Sequence, residues 1–489
     1  MKLRRQIDDL VGRACYRSAE FHSAVPQVSN LPSSGSILVI VLWVALGLVT
    51  VALYFANSMS FELRASDNGI AGLAADQAIE GGARYVLSVL ALSSTNGGVP
   101  DLTSYRSQAV PVGDAHFWLI GRPGDYQVQP DEVFFGLVDE GSKLNLNNVT
   151  VDNLALLTNM TPELAANIVD WRDTNGAVSA NGDGPTIYSQ FQPPYICKNS
   201  PFETTDELRL VYPSDLGTLL GEDFNRNGAL DPSESDTNRN NWIDPGILEY
   251  VTVYSREPNT QSNGTARVSI SLVSSTSADL INLLQTNLSS ARYTAVATAL
   301  GLIANQPGGG PRPGGGRPPP PPAPRRFASP LQFYMASGLS ADEFALIANS
   351  ITVATGTYIQ GRVNVNTAPA AVLACLPGFS ADLAQQLVNY RRQNPTRLTS
   401  IAWVPDALGA SSSTASALAV AGDYITTQSY QFTADIAALG PFGRGYRRVK
   451  FIFDTSTGKP QVIYRQDLSH LGWALGRYAR QDWLLTKKS

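Results

Sequence analysis

The 489-residue sequence is short of the residues that most often carry chemistry. It holds three histidines, His22, His116 and His470, and three cysteines, Cys15, Cys197 and Cys375. None stands at a zinc-ligand spacing or beside a recognisable nucleophile, and neither a phosphate-cradling glycine loop nor a nucleophile elbow occurs. The expectation is a protein without a catalytic centre. Three cysteines also exclude a disulfide scaffold; Cys197 and Cys375 suffice for one bridge, but spacing does not bring them together. A basic excess is missing too: 36 Lys and Arg stand against 41 Asp and Glu, a net charge of −5. That gives no electrostatic footprint for nucleic acid. Wholesale disorder is excluded by 43% hydrophobic and 16% charged residues, enough for cores in about two to four domains.

The most telling absence is local. From Ile37 to Phe61 there is no charged side chain and no proline. At 1.5 Å per residue such a helix is about 37 Å long, enough to cross a hydrocarbon core of about 30 Å. A secretory signal has an apolar core of only about 7–15 residues, so this run is too long for one. In front of it, Lys2, Arg4, Arg5, Arg13 and Arg17 outnumber Asp8, Asp9 and Glu20. This favours a cytoplasmic N-terminus and export of the residues after Phe61. Behind it, Ile70, Leu73, Ile79, Val86 and Val89 continue a helical pattern to about Leu92, interrupted by Gly69, Gly72, Gly81 and Gly82, which permit bending or close packing.

A polar leader ending in glycine, a membrane-length helix and a helical stem resemble the start of a type IV pilin or secretion-system pseudopilin. The resemblance implies cleavage by a prepilin peptidase between Gly35 and Ser36 and methylation of the new N-terminus. Members of that family mostly carry glutamate at the fifth mature position; here it is Ile40. A carboxylate in an apolar helix costs about 2.5–3.5 kcal/mol unless compensated, and a subunit with none stacked above it has no use for one. That departure resembles the K minor pseudopilin of the type II secretion pathway.

Two further stretches resemble the same family: Val138-Asp139-Glu140-Gly141-Ser142-Lys143-Leu144-Asn145-Leu146-Asn147-Asn148, and Pro201-Phe202-Glu203-Thr204-Thr205-Asp206-Glu207-Leu208-Arg209-Leu210. An ungapped shift of 219 residues lays Lys143-Leu144-Asn145-Leu146-Asn147 on Arg362-Val363-Asn364-Val365-Asn366. Further along the same shift Leu154 meets Leu373, Leu164 meets Leu383, Trp171 meets Tyr390 and Arg172 meets Arg391. Each copy reads as a short strand followed by two helices. A shorter echo at Ala266–Ser271, followed by Leu280, Leu283 and Leu284, reads as a third copy. The stretch Leu376-Pro377-Gly378-Phe379-Ser380-Ala381 also resembles a helix-hairpin-helix DNA-binding module. There, however, Ser380 replaces the second glycine, and Arg391, Arg392 and Arg397 form no dense basic stripe.

Strands are expected at His116–Ile120, Tyr126–Val128 and Val133–Leu137, and again at Tyr424–Thr427, Tyr430–Ile436, Arg447–Phe453 and Gln461–Arg465. The fold class is therefore α+β: a pilin-like long N-terminal α-helix with an antiparallel sheet. A large, mainly α-helical insertion containing helix-hairpin-helix (SAM-like) repeats interrupts it. The layout reads as a leader at 1–35, a transmembrane helix at 36–62, and a discontinuous pilin-like domain at 63–144 and 412–468. Between its halves lie a first helical repeat domain at 145–255 and a second repeat region at 256–411, the latter with a Pro/Gly-rich linker at 305–327. A tail follows at 469–489.

One motif carries chemistry. Asp223, Asn225 and Asn227 place oxygens at positions one, three and five of a calcium loop. Gly228 allows the turn at six, Ala229 offers a carbonyl at seven, Asp231 stands at nine and Glu234 at twelve. Ca²⁺ takes six to eight hard oxygens, and alternate residues of a tight loop turn them inward. The pattern restarts with Asp236, Asn238, Asn240, the Trp242 carbonyl and Asp244. Its twelfth position is Ile247, leaving Glu234 or Glu249 to complete it. Asp170, Asp173, Asn175 and Asp183 read as a solvated acidic loop.

The reading is a minor pseudopilin at the tip of the type II secretion pseudopilus, starting and capping the fibre, with structural Ca²⁺. It implies a single pass through the inner membrane with most of the chain periplasmic. The expected partners are the I and J minor pseudopilins and prepilin peptidase, not nucleic acid. Two other classes stay open: a competence-type, membrane-anchored helix-hairpin-helix DNA-binding protein, and an anchored calcium-dependent scaffold or adhesion protein.

Overall fold

The computed structural model of the chain describes residues 34–93, 97–303, 323–409, 412–477 and 479. Most of the leader with Cys15, the proline tract from 304 to 322 and the tail beyond 479 lie outside the described residues. Two compact units divide the chain, Met1–Ser66 and Asp67–Ser489. Helix α1, Ser34–Ser93, runs without a break because no proline interrupts it. In the first unit its apolar side chains, among them Ile37, Leu42, Trp43, Leu53 and Phe61, are exposed. It is the one helix among the described residues long and apolar enough to cross a membrane.

In the second unit, α1 lays Ala75, Ala78, Ile79, Val86 and Leu90 against Phe117, Leu119, Phe432, Ile436, Phe451 and Phe453, a helical stripe on an alternating sheet face. The approach is close. A Cβ on Gly82 would stand 3.1 Å from Ile436 Cγ2 and 3.2 Å from Phe117 Cδ2, and one on Gly440 or Gly445 would collide with the Ala71 backbone.

The sheet has six antiparallel strands: β1 (Val110–Val112), β2 (Ala115–Ile120), β3 (Val138–Asp139), β4 (Gln431–Leu439), β5 (Arg447–Asp454) and β6 (Gln461–Asp467). The order is β1-β2-β4-β5-β6, with β3 also on β4. The chain thus leaves the sheet after β3 and returns some 290 residues later, Phe432 facing Asp139 and Ile436 facing Leu119. Two expected strands differ. Tyr126–Val128 is not a strand, and Val133–Leu137 makes only an isolated bridge, Phe135 to Ile120. Gly136 instead abuts Gly121, and strand geometry starts at Val138. Ser412–Ala421, placed in the pilin-like domain with no element of its own, is a helix packed against the helices Pro330–Ser337 and Trp403–Leu408.

The segment Tyr424–Thr427 also departs from expectation, since Ile425–Thr426 pairs in parallel with Val363–Asn364 and not with the sheet. The same small device occurs twice more: Leu144–Asn145 with Val251–Thr252, and Val268–Ser269 with Ile351–Thr352. In each, the residue after the first strand donates its N–H to the threonine carbonyl: Leu146 to Thr252, Ile270 to Thr352, Val365 to Thr426. In each, the threonine hydroxyl accepts an N–H two residues on, all at 3.1 Å. Arg172 caps the Leu146 and Val149 carbonyls as Arg391 caps those of Val365 and Ala368. One apolar core runs through all three stretches, from Leu154 and Trp171 through Ile270 and Leu284 to Leu373 and Trp403.

Where this region meets the sheet, the contacts at the end of β3 are polar. Asp139 accepts from Asn364, Thr367, Ser429 and the Gly141 N–H. Its neighbour Glu140 accepts from Lys143, Thr433 and Thr252. Two adjacent carboxylates thus grip the last and the first stretch of the insertion respectively.

Candidate metal centre

Between the short helix Leu216–Leu220 and the turn Ile247–Glu249 the chain makes two tight loops, tied at their base by a bridge from Gly221 to Pro245. In the first, the Asp223 carboxylate accepts the Asn227 and Gly228 N–H groups, both at 2.9 Å. Asn225 Oδ1 accepts from Asn227 N at 3.0 Å, and Asn227 Oδ1 from Ala229 N at 2.9 Å. Arg226 and Gly228 have φ of 59° and 77°, the left-handed turns that fold the loop inward. Glu234 closes it, accepting the Asn225 and Asp231 N–H groups, each at 3.2 Å.

The second loop repeats this bond for bond thirteen residues on. Asp236 accepts from Asn240 and Asn241, Asn238 from Asn240, and Asn240 from Trp242. Arg239 and Asn241 take φ of 60° and 63°, the left-handed region that asparagine tolerates without glycine. The closing carboxylate is the one that the sequence pattern does not show. Glu222, ahead of the first loop, accepts the Thr237 N–H at 2.6 Å and the Asp244 N–H at 3.2 Å, the part Glu234 plays for Asp231. The two expected donors of that carboxylate are engaged elsewhere: Glu234 serves its own loop, and Glu249 pairs with Arg122 at 2.7 Å. A twelve-residue window starting at Asp236 cannot reach backwards to Glu222; the signal is spatial, set by the bond from Glu222 N to Asp244 O.

Among the described residues no three acidic, histidine or cysteine side chains form a ready-made metal cluster. The reason is visible at position nine. The Asn225 and Asn227 amides both donate to Asp231 Oδ2, at 2.6 and 2.8 Å, and Asn238 and Asn240 both donate to Asp244 Oδ2, at 2.5 and 3.0 Å. Each amide pair thus satisfies the carboxylate at position nine with neutral N–H donors on the side where a cation would stand. Burial, with Asp223 and Asp231 beside it, pushes the Glu234 carboxyl up to about 7; a divalent cation reverses that order. The donor set is hard oxygen throughout and fits calcium.

The loops are anchored to the sheet. Ala229, fully buried, joins Trp118, Ile120, Leu439 and Leu475 in a small core on the face away from α1. Arg448 on β5 donates to the Asn225 and Arg226 carbonyls, and Arg122 also donates to the Arg226 carbonyl.

Elsewhere the structure redraws other readings. Asp170 is buried, accepting the Ser179 N–H at 2.9 Å, and Asn167 holds Asp183 at 2.9 Å, so that loop is locked by its own bonds and not merely solvated. The hairpin at Gly378 packs on Ala417, and Arg391, 3% exposed, is held by Asp125 at 2.6 Å and by two carbonyls. Cys197 and Cys375 are both buried and free. Gly35 and Ser36 lie in the first turn of α1.

Residues 142–217 match a family model described as type II secretion system (T2SS), protein K, and residues 363–422 match a second model of that description. They cover the two Asn-x-Asn stretches, while the paired loops at 223–244 lie between them. No curated protein matches the chain. Among solved structures it is similar to a chain from the crystal structure of the GspK-GspI-GspJ complex of the enterotoxigenic Escherichia coli type 2 secretion system. Identity is 12%, over 80% of this chain and 96% of that one, with a TM-score of 0.39.

Proposed function

We propose that this chain is a protein K of the type II secretion system, a minor pseudopilin that sits at the tip of the pseudopilus, starting the fibre and stopping its growth. The observation that carries the reading is the pair of protein K matches on the two Asn-x-Asn stretches. In this reading the apolar part of α1 anchors the subunit in the inner membrane and then in the fibre core, with the leader removed between Gly35 and Ser36 by prepilin peptidase. Ile40 in place of a carboxylate leaves no partner for the amine of a subunit above it. The large body that follows occupies the space that such a subunit would need. The I and J minor pseudopilins are its expected neighbours, and the bulk of the chain is periplasmic.

The insertion reads as helix-hairpin-helix, SAM-like repeats used as scaffold, a use supported by the packing of the Gly378 hairpin against Ala417. Calcium would be held by Asp223, Asn225, Asn227, the Ala229 carbonyl, Asp231 and Glu234. A second ion would be held by Asp236, Asn238, Asn240, the Trp242 carbonyl and Asp244, closed by Glu222. Bound there, calcium supplies positive charge that fixes both loops against the sheet.

Purification of the full chain with its I and J counterparts tests the partnership: a stoichiometric complex is expected. Deleting the chain from cells that overproduce the major subunit is expected to give fibres without a regular end-point in length. Unchanged fibres and unchanged secretion would refute the assignment.

A further inference from the structure

Strand β4 descends along α1. Gly97, past the end of the helix, lies against Gln428 and Tyr430, Gly82 lies against Ile436, and Gly440, one residue beyond β4, lies against the Ala71 backbone. The turn that follows, Pro441–Gly443, therefore points down the helix toward Asp67, which Arg444 reaches at 3.5 Å. The Gly440 N–H donates to the Arg444 carbonyl at 2.8 Å and closes the turn. Neither Gly440 nor Gly445 leaves room for a Cβ against Ala71, so the hairpin is seated firmly on the helix.

At the tip stands Phe442, 74% exposed, more than any other aromatic residue described outside the apolar run Ile37–Phe61. Its φ of 59° is one that bulky side chains rarely take and glycine takes freely. A strained backbone that holds a large ring out in water points to a use for the ring. What lies near it is set by the chain itself. The apolar run ends at Phe61, six residues before Asp67, and six residues span at most about 22 Å. Charge does not select the neighbour. Over 62–76 and 440–447, Glu62, Asp67 and Asp76 balance Arg64, Arg444 and Arg447, and Arg444 and Arg447 pair with Asp67 and Asp76. An exposed ring on an electrically balanced hairpin suits the headgroup layer of a bilayer, where aromatic side chains concentrate.

We infer that the tip Pro441-Phe442 seats in the lipid–water interface of the membrane that α1 crosses, an anchor that holds the folded body against the bilayer before the subunit enters a fibre. The inference rests on the reading of Ile37–Phe61 as a membrane span. Tethering keeps the tip at high local concentration beside the lipid, so one ring suffices where a detached body would not bind. With the charges balanced, the contact needs neither anionic lipid nor low salt.

The test uses the full chain, one copy per phosphatidylcholine nanodisc, with Cys15, Cys197 and Cys375 changed to alanine and a nitroxide on a cysteine introduced as Leu53→Cys, Phe442→Cys or Lys459→Cys. Lys459 lies in the turn between β5 and β6, at the other end of the sheet. Oxygen, which partitions into lipid, and a water-soluble nickel chelate report where each label sits. The labels at 53 and 442 are expected to favour oxygen and the label at 459 the chelate, with several-fold less chelate contact at 442 than at 459 in low and high salt alike. A label at 442 as open to chelate as that at 459, with 53 in lipid, would overturn the inference and leave the span standing. A label at 53 open to chelate would overturn the span itself. Shielding of 442 from both reagents would assign the tip to a protein contact and also overturn the inference. Should a substituted chain fail to fold, the wild-type chain in discs of photoactivatable phosphatidylcholine decides: a lipid adduct on the peptide holding Phe442 is expected, and none there would overturn the anchor.

Discussion

Asn364 donates its amide to Asp139 Oδ2 at 3.1 Å across 225 residues of chain. The contact ties the last Asn-x-Asn stretch to the strand from which the insertion departs. Asp139 also holds Thr367, Ser429 and the Gly141 N–H, so Asp139→Ala leaves four donors without their acceptor. A loss of about 2–4 kcal/mol is expected, read as a lowered midpoint in denaturant unfolding. Asn364→Ala removes one donor and should cost less, about 1–2 kcal/mol.

Glu140 provides a pH signature. Lys143 and Lys450, together with the Lys143 and Thr252 hydrogen bonds, outweigh burial and hold its carboxyl down at about 2, from an ordinary 4.5. A depressed carboxyl contributes stability that is fully present above the unfolded value and is lost as pH falls toward the folded one. Stability should therefore decline between pH 4.5 and 2 by something on the order of 3 kcal/mol from this group. Glu140→Gln should be less stable at neutral pH and should show a shallower decline, measured by denaturant midpoints against pH.

Arg172 and Arg391 hold equivalent carbonyls but have different carboxylates. Arg391 binds Asp125 through two nitrogens at 2.6 and 2.8 Å, while Arg172 stands 3.6 Å from Asp173. Arg391→Ala leaves Asp125 only the more exposed Arg392, at 3.3 Å, and uncovers two carbonyls, and should cost about 2–4 kcal/mol. Arg172→Ala should cost less. Equal losses in thermal unfolding would show that the Asp125 pair contributes nothing.

Calcium should raise the Tm of the full chain and release heat in titration. Sites with three carboxylates each and no amphipathic flanking helices are expected at about 10⁻⁴–10⁻³ M, as in extracellular modules. At a hundredfold excess over Kd the linkage is about 2.7 kcal/mol per site. Glu234→Gln should weaken the first site and Glu222→Gln the second. A Glu222→Gln variant with two wild-type sites would return the second loop to Ile247 and an open position.

Close packing of α1 can be tested without touching its apolar stripe. Gly440 has an ordinary φ of −75° but no space, because a Cβ would run into the Ala71 carbonyl; Gly458 has φ of 83° and open space. Gly440→Ala should cost about 2 kcal/mol or more by displacing the hairpin from the helix. Gly458→Ala should cost about 1 kcal/mol from backbone strain alone.

These pairs show what a single sequence exposes. The α1 stripe and strands β2, β4, β5 and β6 are readable because burial on one or both faces imposes a period of 3.6 or 2 on the apolar residues. The 219-residue echo is readable because the asparagines and arginines act on local backbone, which fixes their spacing. Glu222 is not, since its role depends on a bridge between Gly221 and Pro245 and not on position within a loop. Nor is the helix at Ser412–Ala421, whose folding depends on the helices it packs against. The fate of Arg391 is equally hidden, because its acid lies 266 residues away.

The role of a fibre tip requires one copy of the subunit at one place. Gold or nanobody labelling of the folded body that follows α1 in assembled pseudopili, imaged by electron microscopy, should mark one end of each fibre with a single copy. Label along the shaft, with subunits on both sides of it, would contradict the tip assignment.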